Sequence, residues 1–329
     1  MKIFQIVPMN PQGEVPVFMA LQHQALREAG HELALFGFRG DQLFRQPVSL
    51  IKTVWQLRQA LLHAKPDVVH AQLGSLLGFC AALVCPVNLP FIVQFRGSDI
   101  NPTPSEAKWK QWVRLHMSRF AANRADHVIA VSQALTKWLP KRLTAPVTIL
   151  PSGTNTNIFK PMDRQACREK LGWPPGRPVV FFYEGRSPEV KRRDLADKVY
   201  AKLQKDMPDL DLFICTGDFS QAELAVYLNS CDVALMLSDY EGSPNIVREA
   251  IACHVPVVSV PVGDVAAWIT GAKEGQIIER DVAAIAAAAA DYIGKDRPAA
   301  TEASMPLPFG LPAVTSRLIA LYAELCHIT

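Results

Sequence analysis

Along the first half of the chain, short apolar runs alternate with longer stretches in which apolar residues recur every three or four positions. "KIFQIVP", "HELALFGF", "PDVVHAQ", "PFIVQFRGSD", "DHVIAVS" and "VTILPSG" read as strands, at intervals long enough for crossover helices. Such a series predicts a parallel sheet covered on both faces. "VPVFMALQHQALREAG" is the first of the helices, and Gly30 at its end supplies a left-handed stop from which the next strand begins at once.

A second series starts after the punctuation "WPPGRP" at 173–178, with strands "VVFFYEG", "LDLFICTG", "CDVALMLS" and "VPVVSVPVG". "DVAAIAAAAADYI" is a helix on propensity alone. After the Pro-rich "MPLPFGLP" a last amphipathic helix, "AVTSRLIALYAEL", is free to return to the first domain. The expected organisation is an N-terminal domain over 1–160, a second over 161–308 and a returning helix over 309–329, with a hinge within 155–178.

Composition changes this picture little. The 329 residues, 49% hydrophobic and 20% charged, suit two domains with sizeable cores. Seven cysteines without a CxxC fit buried thiols better than a disulfide framework. The apolar run before Pro8 and Pro11 is too short for a signal peptide. Residues 71–95 are uncharged over a membrane-spanning length, but Pro86, Asn88 and Pro90 divide them, favouring a buried helix followed by a buried strand.

Charge changes it more. The net +3 divides into +8 over residues 1–150 (16 Lys+Arg, 8 Asp+Glu) and −5 over the rest (18 against 23). A basic first half suits an anionic partner such as a membrane surface, or simply carries a solvated basic face. "KWKQWVRLHMSRFAANR" at 108–124 sets Trp109, Trp112 and Phe120 among five cations. It reads as a membrane-facing or acceptor-facing helix, or as an ordinary amphipathic one.

The chemistry concentrates in "SDYEGSPNIVREAIACHVPVVSVPVGD", where Glu241 and Glu249 stand with seven residues between them. Ser243 before Pro244 predicts a helix start, with the hydroxyl capping a free backbone N–H. That start lies at the carboxyl end of a parallel strand, where open α/β sheets bind ligands and helix N-termini favour phosphate. With a phosphate over Ser243–Ile246, Glu249 could accept hydrogen bonds from an attached ribose; alternatively it pairs with Arg248 or Arg186, and Glu241 is merely solvated. In "YEGRSPEVKRR" of the same domain, Arg186 and Lys191 flank a strand-to-helix turn. These are the cations that a departing diphosphate needs.

Arg186, Lys191, "EGSPNIVREA" and "VGD" together resemble the donor half of a retaining GT-B glycosyltransferase of family 4 (glycosyl transferase group 1), with its Glu-x7-Glu signature. "GHEL", "ADHVIAVS" and "LPSGTNTNIF" are similar to that family's N-terminal domain and linker. The resemblance covers nearly the whole chain and is most specific over 183–268.

It implies two Rossmann-like domains facing across a cleft, and transfer of a sugar from a nucleotide diphosphate to an acceptor hydroxyl with retained configuration. It further implies that Arg186 and Lys191 hold the diphosphate, and that Glu249 and Ile246 lie in the nucleotide site. Glu241 with the loop Gly242, Ser243, Pro244 and Asn245, through the backbone N–H groups of all but the proline, orients the donor sugar, and Gly13 lets the backbone approach the phosphate from the opposite domain. The leaving phosphate takes the acceptor's proton, so neither a side-chain base nor a metal or other cofactor is expected. The implied partners are a nucleotide-sugar donor and a glycan or lipid-linked acceptor in surface polysaccharide or glycolipid synthesis, and no nucleic acid. The implied location is cytoplasmic, with or without peripheral attachment to the inner membrane.

Several positions depart from the pattern. Where many members have His-Gly-x-Asp this chain has "RGSD", so Arg96 is an acceptor or phosphate clamp, or forms an ion pair with Asp99. Gly13 is followed by Glu14 rather than a second glycine. "SGTN" replaces the usual "NGVD", and His254 stands where a glycine often ends the helix. These departures keep open a nucleotide-binding protein without catalysis, and a sugar-nucleotide epimerase of the same fold. No HExxH, GxGxxG or GxSxG occurs, and "DLDLF" reads as a strand rather than a metal-binding DxD.

Overall fold

The computed structural model describes residues 1–10, 12–39, 47–103, 106–185, 187–271, 273–297 and 307–327. The chain forms two compact units, Met1–Gly153 with Leu311–Thr329, and Thr154–Gly310. The division corrects the expected boundaries by a few residues. Thr154 donates its N–H to Phe309 O (2.9 Å), and Phe159 is buried in the second unit's core, so residues 154–160 belong with that unit. In the first unit, the outgoing chain at Gly153 passes so close to the returning Leu311 that a Cβ on the glycine would lie 2.8 Å from Leu311 Cα.

The first unit runs β1 (Lys2–Pro8), α1 (Val17–Glu28), β2 (Glu32–Phe38), α2 (Pro47–Ala64), β3 (Val68–Ala71), α3 (Ser75–Val84), β4 (Phe91–Phe95), α4 (Lys108–Arg124), β5 (His127–Ala130), α5 (Gln133–Thr136) and β6 (Val147–Ile149). Its parallel sheet has the order β2-β1-β3-β4-β5-β6. Alternation sends Phe4, Ile6, Val69, Val93, Phe95 and Val128 into one core with α2, α3 and α4. Their neighbours Ile3, Val68, Ile92 and Ile129 go to the other face, which α1 and the C-terminal helix cover. The uncharged stretch 71–95 is the buried helix α3 followed by β4. Among the described residues no helix is long and apolar enough to cross a membrane.

The second unit runs α6 (Arg164–Lys170), β7 (Val179–Tyr183), α7 (Pro188–Lys191), α8 (Arg193–Asp206), β8 (Asp211–Cys215), α9 (Gln221–Ser230), β9 (Val233–Met236), α10 (Asn245–Ala252), β10 (Val257–Ser259), α11 (Val265–Trp268), β11 (Gly275–Ile277) and α12 (Val282–Ala290); α13 (Leu311–His327) then completes the first unit. Its parallel sheet has the order β11-β10-β9-β7-β8. Three residues beginning with glycine carry too little periodicity to announce β11 in the sequence. "DLDLF" is the strand it reads as, paired from Asp211↔Val179 onward. Buried Asp232, just before β9, accepts from Arg164 (2.7 Å), Arg168 (2.8 Å) and the N–H of Val179 (2.7 Å), tying α6 to the sheet.

In each sheet the second strand joins one side of the first and the third joins the other. The connections after the first and third strands therefore diverge and leave a crevice at the carboxyl ends of β1/β3 and of β7/β9.

Candidate functional site

At the β7/β9 crevice the chain leaves β7 at Tyr183, turns through Gly185 (φ +56°) and enters α7, which ends at Lys191. Arg186 lies outside the described residues. From the other side of the crevice, the loop after β9 delivers Glu241. Lys191 Nζ meets Glu241 Oε1 at 2.5 Å, Ser238 Oγ donates to the same oxygen at 2.9 Å, and the ammonium stands 5.3 Å over the Tyr183 ring. Both charged side chains are mostly buried, 16% exposed each. The pair joins two strands' loops fifty positions apart in sequence, which no local pattern encodes.

The loop 242–244 that follows is held from below. Gly263 (φ +58°) lies so close that a Cβ there would meet Glu241 Cβ at 3.2 Å and Gly242 O at 3.3 Å. Arg248, fully buried, donates to Ser243 Oγ and to Asn245 Oδ1 (2.7 Å); Ser243 Oγ donates to Asp264 Oδ2 (2.7 Å), itself 3.8 Å from the guanidinium. Trp268 covers the guanidinium at 5.6 Å.

Ser243 is therefore not the helix cap that the Ser-Pro pair predicts. The helix begins at Asn245, Pro244 occupies the N-cap position, and the hydroxyl is taken by a buried cation that has few other acceptors. Arg248, Asp264 and Gly263 are the residues that sequence reasoning passed over in this role. "VGD" was visible as a motif, but its partner across the loop was not.

Glu249 sits on α10 one turn from its start, partly exposed among Ile246, Val247, Ala250 and Ile251. The suggested partner Arg248 points the other way, as successive helical residues do. Among the described residues no hydrogen bond or ion pair to the Glu249 carboxyl occurs. Desolvation raises it to about 7, with Arg248 offsetting only part of that rise. Burial, with a smaller contribution from the Glu249 charge, pushes up the Cys215 thiol at the end of β8. Past the helix, His254 takes the left-handed conformation (φ +56°) in which glycine is the usual occupant.

In the first unit Gly13 occupies a left-handed turn after β1 (φ +86°), where a Cβ would lie 2.8 Å from Arg39 Nη2. Arg96, after β4, donates to Gln72 O (3.1 Å), Ser152 Oγ (2.8 Å), Gln94 Oε1 (3.0 Å) and Gln72 Oε1, and stands 4.9 Å from the Phe18 ring. Burial lowers it to about 10. Asp99 instead accepts from the backbone N–H groups of Arg96 (3.0 Å), Gly97 (2.8 Å) and Gly74 (2.9 Å). Of the two alternatives for Arg96, the ion pair with Asp99 is not formed through the side chains: Asp99 folds the loop, and four of the five guanidinium N–H donors are committed to other acceptors.

A sequence profile described as a glycosyl transferase 4-like domain matches residues 13–153, and one described as glycosyl transferases group 1 matches residues 177–295. Over 218 residues the chain is 28% identical to TuaC of Bacillus subtilis, a glycosyltransferase named for teichuronic acid biosynthesis; the match takes in 61% of this chain and 54% of that protein. The chain spans a little over half the length of the first curated relatives it matches. Its fold is similar to that of sucrose-phosphate synthase from Thermosynechococcus elongatus (TM-score 0.73, 16% identity, 100% of each chain). It is also similar to that of Anabaena HepE in complex with UDP (TM-score 0.64, 14% identity, 98% of this chain and 100% of that one). With each sheet matched by the profile of one half of the family, the chain belongs to the group 1 glycosyltransferases of the family 4 type and carries their GT-B architecture of two parallel-sheet domains.

Proposed function

We propose that the second unit binds a nucleoside diphosphate sugar at the β7/β9 crevice, and that the protein transfers the sugar to an acceptor hydroxyl with retained configuration. The observation that carries this reading is the Glu249 carboxyl, to which no described residue donates a hydrogen bond, in the same unit as Lys191, whose ammonium is held by the single carboxylate Glu241. In the free protein Lys191 is neutralised by Glu241. A diphosphate would compete for the ammonium, and Glu241 would then be released to accept hydrogen bonds from the sugar. The amides of Gly242, Ser243, Pro244's neighbour Asn245 and Ile246 face the N-terminal end of α10, where a phosphate is favoured. Arg186 is assigned to the same diphosphate by its place in the sequence. Charge that develops on the leaving group is then met by fixed donors, with no metal ion invoked. Glu249 receives the ribose hydroxyls.

The acceptor is a growing surface polysaccharide or glycolipid, a reading supported by the likeness to TuaC. Nucleoside diphosphates carrying uracil, guanine, adenine and thymine, with CMP as a control, would be tested by thermal shift on the wild type and on Glu249→Ala. A nucleotide at a hundred times its dissociation constant adds about 2.7 kcal/mol. One diphosphate is expected to stabilise the wild type and not the variant. With the matching donor sugar, Lys191→Ala and Glu241→Ala are expected to lose transfer while remaining folded. Stabilisation by none of the nucleotides, or wild-type transfer by both variants, would overturn the proposal.

A further inference from the structure

The helices α2, α3 and α4 pack side by side on one face of the first unit's sheet. Their inward faces behave as expected, with Leu57, Leu61, Leu77, Ala81, Leu115 and Ala122 buried. Their outward faces do not. On α4 the buried residues Leu115, Ser118, Ala121 and Ala122 define one side, and at 100° per residue the opposite side is centred on Trp109 and Phe120. Trp109 is 67% exposed, Trp112 62% and Phe120 43%. On α2 the outward positions Ile51 (72%), Trp55 (61%) and Leu62 (50%) follow helical spacing, and Leu83 of α3 between them is 53% exposed. The large exposed apolar residues of the described chain all fall in the first unit, most of them on this layer.

Charge sets what such a surface fits. None of the three helices carries an Asp or Glu, whereas α2 contributes Lys52 and Arg58, and α4 contributes five cations from Lys108 to Arg124. Of these Arg114 is spent on Glu106 (2.6 Å) and Lys110 lies over the Trp109 ring (5.6 Å). A surface meant only to stay in water would alternate signs and hide its tryptophans. A surface for another protein would be expected to deplete lysine together with the carboxylates, whereas this one keeps Lys52, Lys108 and Lys110. Aromatic rings standing out from a helix, flanked by cations with long apolar stems and with no Asp or Glu on the three helices themselves, match the boundary between lipid headgroups and acyl chains.

We infer that the α2–α3–α4 layer docks the protein on an anionic phospholipid surface, with Trp55, Trp109, Trp112 and Phe120 entering the headgroup region and the Lys and Arg side chains meeting lipid phosphates. This contact holds the protein at the surface of a bilayer. It stands on the first unit's surface alone and is independent of the donor reading.

The test uses the full chain and sedimentation with vesicles of phosphatidylcholine alone or with 30% phosphatidylglycerol, roughly the anionic fraction at which each cation in reach is worth about fivefold in binding. The wild type is expected to co-sediment with the anionic vesicles, weakly at high salt, and hardly at all with neutral ones. Lys108→Glu/Lys110→Glu is expected to weaken binding at least about tenfold, an order-of-magnitude figure from the same cation increment, and, separately, Trp109→Ala/Trp112→Ala is expected to weaken it by removing the apolar area that enters the interface. Their thermal midpoints and nucleotide-induced shifts stay at wild-type values, because these side chains are exposed and lie on the first unit. Wild-type vesicle binding by both double variants would overturn the inference. So would equal binding to neutral vesicles, or a wild type that self-associates in solution and whose variants lose only that association.

Discussion

A carboxylate desolvated by its surroundings is costly in its ionised form unless something receives it, and Glu249 is in that position. Its folded value of about 7 lies above the ordinary glutamate value of 4.5. Between those two pH values the folded chain keeps a proton that the unfolded chain has released, so the stability this group allows is present below about pH 4.5 and is lost as the pH rises toward 7. Glu249→Gln removes that slope, and the stability of the variant relative to wild type is expected to rise across this window in denaturant titrations. Ribose hydroxyls donating to the carboxylate favour the ionised form. Wild-type affinity for a nucleotide sugar is therefore expected to tighten from pH 6 to pH 8 relative to the variant. Parallel affinity profiles for the two proteins would remove Glu249 from the ribose site.

At the scale of an element, α10 and the loop before it show how one buried cation can reassign a local motif. Arg248 gathers Ser243, Asn245 and Asp264, so the loop that presents Glu241 is fixed from the inside of the unit rather than by a cap at the helix end. Arg248→Met keeps the volume and removes the charge, leaving Asp264 in a site only 7% exposed. It is expected to destabilise the second unit by about 3 kcal/mol. Arg248→Met/Asp264→Asn is expected to recover part of that loss without restoring nucleotide binding, because the loop has lost its anchor. Equal destabilisation by the single and double variants would show that packing rather than charge is at stake. The Glu-x7-Glu spacing and the strand-to-helix turn were legible in the sequence because they are local. The role of Ser243 was misread because its partners lie five and twenty-one positions away.

For the whole molecule, the chain leaves the first unit at Gly153 and returns at Leu311, so the second unit is an insertion between one domain and its last helix. α13 supplies Val314, Leu318, Leu321 and Tyr322 to the core on one face of the first sheet, and Tyr322 Oη also reaches His70 Nδ1 (2.6 Å) and Gln5 Nε2 (3.1 Å). Residues 154–310 made alone are expected to fold cooperatively and to keep the nucleotide-induced thermal shift. Residues 1–153 alone are expected to lack a cooperative transition, since a sheet face is bared, and to regain one when 311–329 is joined through a short linker. A cooperative transition in 1–153 without the helix would contradict this account of the core.

The sequence by itself determined the two parallel sheets, the order of most strands and helices, the return of the last helix and the stretch in which the chemistry lies. Each of these is written in periodicity, in glycine and proline, or in residues close along the chain. Only the tertiary structure decided which side chains meet. It brings Lys191 to Glu241 across the crevice, turns Arg248 away from Glu249, commits Arg96 to Gln72, Gln94 and Ser152, and leaves aromatic residues standing outward from α4. Local pattern specifies which face of an element is apolar. Which buried polar groups satisfy one another depends on the direction of every side chain at a sheet edge, and that is settled only when distant strands are laid side by side.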